Sequence, residues 1–336
     1  MKKRVPIVFM FVLFQCFQQL PACAQISGGN YEEDLLSEKT KLDDYIKNLR
    51  SFISVSGNSS LKALEGRVHF HVSDEPVPNA WVARDFQTGR NTIYMTAQYR
   101  LLTTYLADAD VIVSLDTNFH SCRQDYVDTI FKVLATNRQR SVSRGTQRRI
   151  PAPEVFLNTA ANSCRPFQSR FPIDPKYRPA RDQTVNMVVG LGYLHELGHI
   201  AIGHPPVSLS SIEQLPTSSQ RLAEFSRLMA RSRLQEYQAD DWAIDRFVDL
   251  SNNPLESLTN VLLTFYLAFS NLDCSLEAAD SHPNGYQRFA RQMIRMKDRA
   301  TSAGKFTNTQ EVGRLIDDLL TFASKTQQKL DCPERG

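Results

Sequence analysis

The run His195–His199, which reads His-Glu-x-x-His, restricts the fold more than any other part of this sequence. It lies in residues 182–204, whose apolar spacing predicts a helix, and Pro205 begins the proline pair that ends this helix. Residues four positions apart share one helix face, so both imidazoles can bind one metal ion. Glu196 lies beside that face, where its carboxylate can act as a base. The motif predicts a metal-binding helix, and the alternative is a buried helix that carries two polar histidines.

A second helical segment, residues 218–250, offers a third ligand, Glu236, with Asp240 one turn later. Two histidines and one glutamate leave the fourth position of a tetrahedral zinc ion open to water, as catalysis requires. Asp240 is then placed to accept a hydrogen bond from a ligand imidazole and to fix its tautomer. Considered alone, Glu236 and Asp240 would be an exposed acidic helix face. The two histidines favour the zinc interpretation.

His204 is the weaker candidate for a third ligand. Zinc sites built from three histidines use a longer motif, in which the third histidine stands where this chain has Pro205. If the helix continues through residue 204, His204 points away from the face that His195 and His199 share. We therefore expect His204 to be a polar residue at the helix end.

The spacing of the hydrophobic residues changes before the metal-binding helix. Residues 31–65 predict an opening helix, and residues 67–73 alternate as a half-buried strand. A second strand is predicted at Thr92–Thr96 after a turn at Thr88–Asn91, and a helix follows at Ala97–Leu106. Further helices are predicted at 218–250, 254–272, 284–298 and about 309–330. We expect a mostly helical α+β fold with a small antiparallel sheet before the metal-binding helix.

The balance of charges makes nucleic acid an unfavourable partner. The chain has 39 Lys and Arg against 36 Asp and Glu, a formal net charge of +3. That excess equals the three basic residues Lys2, Lys3 and Arg4, which lie in the leader. The remaining chain is formally neutral and lacks the positive potential that attracts nucleic acid or an anionic membrane.

The first 24 residues predict a signal peptide. A basic start is followed by the apolar run Val5–Phe17 and by Ala22-Cys23-Ala24, with cleavage expected after Ala24. We expect the mature chain to be periplasmic or secreted and to contain no transmembrane helix. The segment before Cys23 also resembles a lipoprotein cleavage box, and the alternative is a lipid anchor on Cys23 that tethers the protein to a membrane.

The cysteines beyond the leader form an even set, as is typical of exported proteins with disulfides. They are Cys122, Cys164, Cys274 and Cys332. Spacing favours pairing the first two with each other and the last two with each other, although four cysteines allow three connectivities.

Four landmarks resemble the gluzincin metallopeptidases, in particular the family of the CAAX prenyl protease and the periplasmic outer-membrane quality-control proteases. Pro78–Trp81 and Asn91–Tyr94 resemble the strands of that family, and His195–His199 resembles its zinc helix. Glu236–Asp240 matches Glu-x-x-Ala-Asp. The segment from His282 to Arg288 resembles His-Pro-x-x-x-x-Arg.

The resemblance implies a zincin-like (minigluzincin) core in residues 67–300, with an insertion at about 108–180. A helical segment at 25–66 would precede it, and a C-terminal helix and tail at 301–336 would follow. One zinc ion per chain would be held by His195, His199 and Glu236, with Glu196 as the base and Asp240 in support.

The resemblance further implies that His282 lies near the metal as a catalytic residue. Asn79, Ala80 and Arg288 would contact a protein or peptide substrate. The activity implied is a zinc endopeptidase, with envelope protein quality control as one setting. The alternatives are a zinc-bound chaperone or binding protein on a peptidase fold, a phage-exclusion-type peptidase with a similar core, and a helical export protein whose motif is accidental.

Overall fold

The computed structural model describes residues 31–321, except positions 86, 143–147, 161–162, 206–209, 252–282, 284, 306–312, 315 and 319–320. Within these residues helices dominate and accompany one small sheet, so the fold is α+β as predicted. The helices are α1 (Tyr31–Val55), α2 (Ser59–Glu65), α3 (Ala97–Leu115), α4 (His120–Val142), α5 (Pro153–Thr159), α6 (Arg178–Ile202), α7 (Ser210–Glu213), α8 (Ser218–Leu250) and α9 (Gly285–Ser302). The strands are β1 (Val68–Ser73), β2 (Ala80–Arg84) and β3 (Asn91–Thr96).

The sheet is mixed, with the strand order β1-β3-β2. β2 pairs antiparallel with β3, whereas β1 pairs parallel with β3, so the prediction of an antiparallel sheet is wrong for β1. The predicted turn contains Gly89, at a φ of +68°, and reverses the chain between β2 and β3. Because the chain also reverses between β1 and β2, β3 runs in the direction of β1.

The sheet packs against α6, the helix that carries the His-Glu-x-x-His run. Alternation along β3 buries Ile93 and Met95, which are fully shielded from solvent. The ring of Phe70 on β1 meets the ring of Tyr193 edge to face, with centroids 5.9 Å apart. The apolar residues of α6 therefore pack against the inner face of the sheet.

Glycines on α6 let neighbouring helices approach its backbone. A Cβ atom at Gly190 would lie 2.5 Å from the hydroxyl oxygen of Tyr45, and one at Gly192 would lie 2.5 Å from that of Tyr99. Burial raises the pKa of Tyr45 to about 12, so this phenol remains neutral. The two tyrosines occupy the space that larger α6 residues would need.

Contacts divide the chain into two units. Of the described residues, Tyr31 and those within 108–178 belong to one unit, and those within 32–107 and from Pro179 onward belong to the other. In the first unit, Cys122 and Cys164 lie at disulfide distance, with an S–S separation of 2.12 Å, in the pairing that spacing favours. The described part of this unit also contains the long helix α4, which the sequence pattern did not indicate.

Several predictions fall outside the described residues. They are the signal peptide, the lipid anchor at Cys23, His282, the pairing of Cys274 with Cys332, and the helix at 254–272. Among the described helices, none has both the length and the hydropathy that crossing a bilayer requires.

Candidate metal centre

Three ionisable side chains converge where α6 meets α8. His195 Nε2 lies 3.1 Å from His199 Nε2. Glu236, on α8, places Oε2 3.3 Å from His195 Nε2 and Oε1 3.4 Å from His199 Nε2. One donor atom from each residue lies within 4.8 Å of the others. The three residues proposed as ligands from sequence are therefore brought together.

These donors lie close enough together to share one metal ion. Zinc binds nitrogen and oxygen at about 2.0–2.1 Å, which places two tetrahedral ligands about 3.3 Å apart. The two imidazole nitrogens lie 3.1 Å apart, and they lie 3.3 and 3.4 Å from the two different oxygens of Glu236. Two imidazoles and a carboxylate are also a donor set that zinc accepts while keeping one position open. The donor types and their proximity therefore fit zinc.

A close approach of the two helices makes this convergence possible. Gly198 lies between the two histidines, and a Cβ atom there would lie 3.0 Å from the carbonyl oxygen of Ala239 and 3.3 Å from its Cα. The backbone of α8 occupies the space of the missing side chain. Ala239, fully buried, lies between Glu236 and Asp240 in the sequence. Small residues at 198 and 239 thus bring the carboxylates of α8 to the histidines of α6.

Asp240 supports His195 from behind. Its Oδ1 lies 2.8 Å from His195 Nδ1, at an angle that falls short of a hydrogen bond. A carboxylate at this distance favours a proton on Nδ1, which leaves Nε2 as the nitrogen for a metal ion. Burial disfavours a charged His195, but the contacts with Asp240 and Glu236 outweigh it and raise the pKa of His195 to about 10. Burial likewise opposes ionisation of Asp240, but Arg288 and His195 lower the pKa of this carboxyl to about 2.

Glu236 is ionised in this setting. Burial opposes its charge, but the contacts with His195 and His199, together with the charge of Arg288, hold the pKa of Glu236 well below its ordinary value. An ionised carboxylate is the form that binds a metal ion.

Arg288 belongs to the support of this centre. Its guanidinium donates to both oxygens of Asp240, at 2.8 and 2.7 Å, and its Nη1 lies 3.4 Å from Glu236 Oε2. The predicted role of Arg288 in binding substrate is not tested by these contacts. They do show that the guanidinium is engaged by the carboxylates of α8.

Arg288 is the first rung of a ladder of arginine–aspartate pairs between α8 and α9. Arg291 binds Asp241, Arg295 binds Asp245 and Arg299 binds Asp249, each at 3.0 Å or less. The pairs follow the same order along both helices, so α8 and α9 run parallel. The ladder fixes α9 lengthwise against the helix that carries Glu236.

His204 lies against the second ligand, contrary to the expectation from a continuing helix. Its Nδ1 lies 2.9 Å from Nδ1 of His199, and its Nε2 lies 3.0 Å from Oε1 of Gln238. The cause is Gly203, which adopts a φ of +73° and turns the chain back at the end of α6. Gly203, two residues before Pro205, was the signal in the sequence that indicated this turn.

The remaining predicted residues lie at defined places. Glu196 is 8% exposed on α6, next to His195. Asn79 precedes β2, where its Oδ1 accepts a hydrogen bond from the backbone N–H of Ala80. Its own N–H donates to Thr96 Oγ1 on β3. Asn79 and Ala80 thus form the start of the strand at the sheet edge.

No protein-family model, curated protein sequence or solved structure matches this chain. The functional assignment depends on the residues and geometry described above.

Proposed function

We propose that this chain is a zinc-dependent endopeptidase with a zincin-like core. The observation that supports this most is the convergence of His195, His199 and Glu236, since one donor atom from each lies within 4.8 Å of the others. The support of His195 by Asp240 strengthens the proposal, because ligand imidazoles in zinc sites usually donate their second N–H to a carboxylate or carbonyl.

Zinc, when bound, supplies a Lewis acid that polarises a carbonyl and lowers the pKa of water. His195, His199 and Glu236 would hold it. Glu196 takes a proton from the attacking water on a carboxylate oxygen and then delivers it to the nitrogen of the leaving amine. Its burial limits competing solvent at that carboxylate. His282 is proposed to donate to the carbonyl oxygen as negative charge develops there.

The substrate is proposed to bind as an extended strand beside β2. In the described part of the sheet, β2 is an edge strand that pairs on one side only, with β3. Edge strands align peptides through main-chain hydrogen bonds, which demands little of the substrate sequence. This mode suits a peptidase of unfolded or partly folded proteins, the substrate class expected for envelope quality control.

We further propose that the enzyme is exported, either to the periplasm or outside the cell. A form tethered to a membrane by a lipid is the alternative. The disulfide-distance pair Cys122 and Cys164 supports an oxidising compartment, because such bridges persist there.

The decisive experiment separates the ligand from the base. Purified chain is analysed for zinc and for digestion of casein, together with Glu196→Gln and Glu236→Ala. We expect one zinc per chain, retained in Glu196→Gln without digestion and lost in Glu236→Ala, because only Glu236 contributes a bond to the metal. Equal zinc loss in both variants would contradict these roles. Zinc without digestion in the unaltered chain would indicate a binding protein, and absence of zinc an accidental motif.

A further inference from the structure

We infer that His204 and Gln238 form a positioning relay that orients His199 for metal binding, as Asp240 orients His195. The inference rests on the proposed zinc site. His204 is not a ligand in it, because its ring reaches the far nitrogen of His199 rather than the triangle of donors. The two ligand histidines of α6 are thus each held from behind, by different chemical groups.

The backbone places His204 through the way α6 ends. The N–H of His204 donates to the carbonyl of His199 at 3.0 Å, and the N–H of Gly203 donates to that of Ile200 at 3.2 Å. With Gly203 in the left-handed region, this is the glycine-terminated helix end that reverses the chain onto its last turn. This turn therefore places the imidazole of His204 next to that of His199, edge to face, with ring centroids 5.0 Å apart.

The hydrogen-bond partners allow a single arrangement of protons when His199 binds metal. Nε2 of His199 must then present a lone pair, so its proton lies on Nδ1. That proton is donated to Nδ1 of His204, 2.9 Å away. His204 is then neutral with its proton on Nε2, where the acceptor is Oε1 of Gln238 at 3.0 Å. The ring N–H of His199 and the ring N–H of His204 each meet an acceptor in this arrangement.

The relay ties the second ligand to α8 as well. Gln238 lies between Glu236 and Asp240 in the sequence, so one short segment of α8 supplies a ligand, the support of His195 and the end of the relay to His199. When both imidazole planes are fixed, the side chains need little reorientation to bind the metal. Contacts of this kind typically contribute a factor of about 10 to 100 to metal affinity.

The test uses the full mature chain and three variants, two at residue 204 and one control on α8. Zinc affinity is measured by chelator competition, and the visible absorption spectrum is recorded for the chain loaded with Co²⁺. His204→Leu keeps the bulk and removes the acceptor. His204→Asn restores an acceptor near the position of Nδ1. Leu222→Ala, at a side chain 67% exposed on α8, controls for substitution alone.

We expect His204→Leu to weaken zinc binding by about 10- to 100-fold and to change the Co²⁺ spectrum. His204→Asn should recover most of the affinity, and Leu222→Ala should match the unaltered chain. Circular dichroism of the metal-free variants checks that each one folds. Unchanged affinity and spectrum in His204→Leu, or no recovery in His204→Asn, would overturn the relay while leaving the zinc site intact. Failure of the unaltered chain to bind zinc would overturn the proposed function and the relay with it.

Discussion

Arg288 and Asp240 form a two-bond ion pair that is almost closed to solvent, with side chains 12% and 1% exposed. Asp240 in turn contacts His195, so the charge of the arginine reaches a proposed zinc ligand through one carboxylate. Removing one partner of such a pair leaves the other charge buried without compensation, which typically costs 3–5 kcal/mol.

We therefore predict that Arg288→Met lowers the free energy of unfolding by about 3 kcal/mol and weakens zinc binding. Arg295→Met is the matched control, because its ion pair with Asp245 is 45% exposed on the arginine and pairs of that kind contribute about 1 kcal/mol or less. Denaturant unfolding and chelator competition measure the two effects. A variant at 288 that loses peptide digestion alone, with stability and zinc affinity kept, would instead indicate substrate binding.

Gly198→Ala should disturb the centre without touching a ligand. The added methyl group would lie 3.0 Å from the carbonyl oxygen of Ala239, and backbone cannot yield as a flexible side chain does. We expect a loss of about 1–3 kcal/mol in stability and weaker zinc binding. Gly313→Ala is the control, because the nearest atoms there lie at 3.9 Å or more. If both variants kept the same zinc affinity, the close approach of α6 and α8 would not govern the site.

Zinc binding should release protons. In the metal-free site the pKa of His195 is raised to about 10, so at neutral pH this imidazole carries a proton that the metal must displace. Zinc affinity is therefore expected to rise with pH from neutral toward 10. Calorimetry in buffers of different ionisation enthalpy counts the protons released. An affinity that stays constant over this range would show that His195 is already neutral.

Removing the Cys122–Cys164 pair should destabilise the unit that contains it. The bridge closes a loop with a sequence separation of 42 residues, for which the chain-entropy model gives about 4 kcal/mol. We expect the double variant Cys122→Ser/Cys164→Ser to unfold at lower denaturant, and reduction of the unaltered chain to shift unfolding in the same direction. Identical unfolding of reduced and oxidised chain would mean that the bridge contributes little.

Sequence reasoning worked best where one helix carries the whole signal. The helix predicted at 182–204 corresponds to α6, and the helix predicted at 218–250 has the bounds of α8. The spacing of His195, His199 and Glu236 along these helices identified the donors that the structure brings together. These signals are local, because periodicity and helix ends depend on neighbouring residues. The direction of β1 could not be predicted in this way, since alternation identifies a strand but not its partner.

Contacts between residues far apart in the sequence could not be predicted either. Nothing in the spacing of Arg288 indicates that its guanidinium lies on Asp240, 48 residues earlier. His204 was misplaced for a different reason, since the helix was extended past Gly203. A glycine before a proline pair was a readable sign of a reversed helix end. α4 was missed because its apolar residues show little helical periodicity.

The ladder between α8 and α9 combines one buried pair with three exposed pairs, so dissolved salt affects the pairs unequally. The arginines of the outer rungs, Arg291, Arg295 and Arg299, are 38–48% exposed, against 12% for Arg288. Ions in solution screen exposed pairs strongly and buried pairs little. High ionic strength should weaken the three exposed pairs, while the pair of Arg288 with Asp240 in the first turn of α9 stays in place. Changes in salt concentration would then act on the contacts along the rest of α9, and the pair beside the candidate metal centre would be insulated from them.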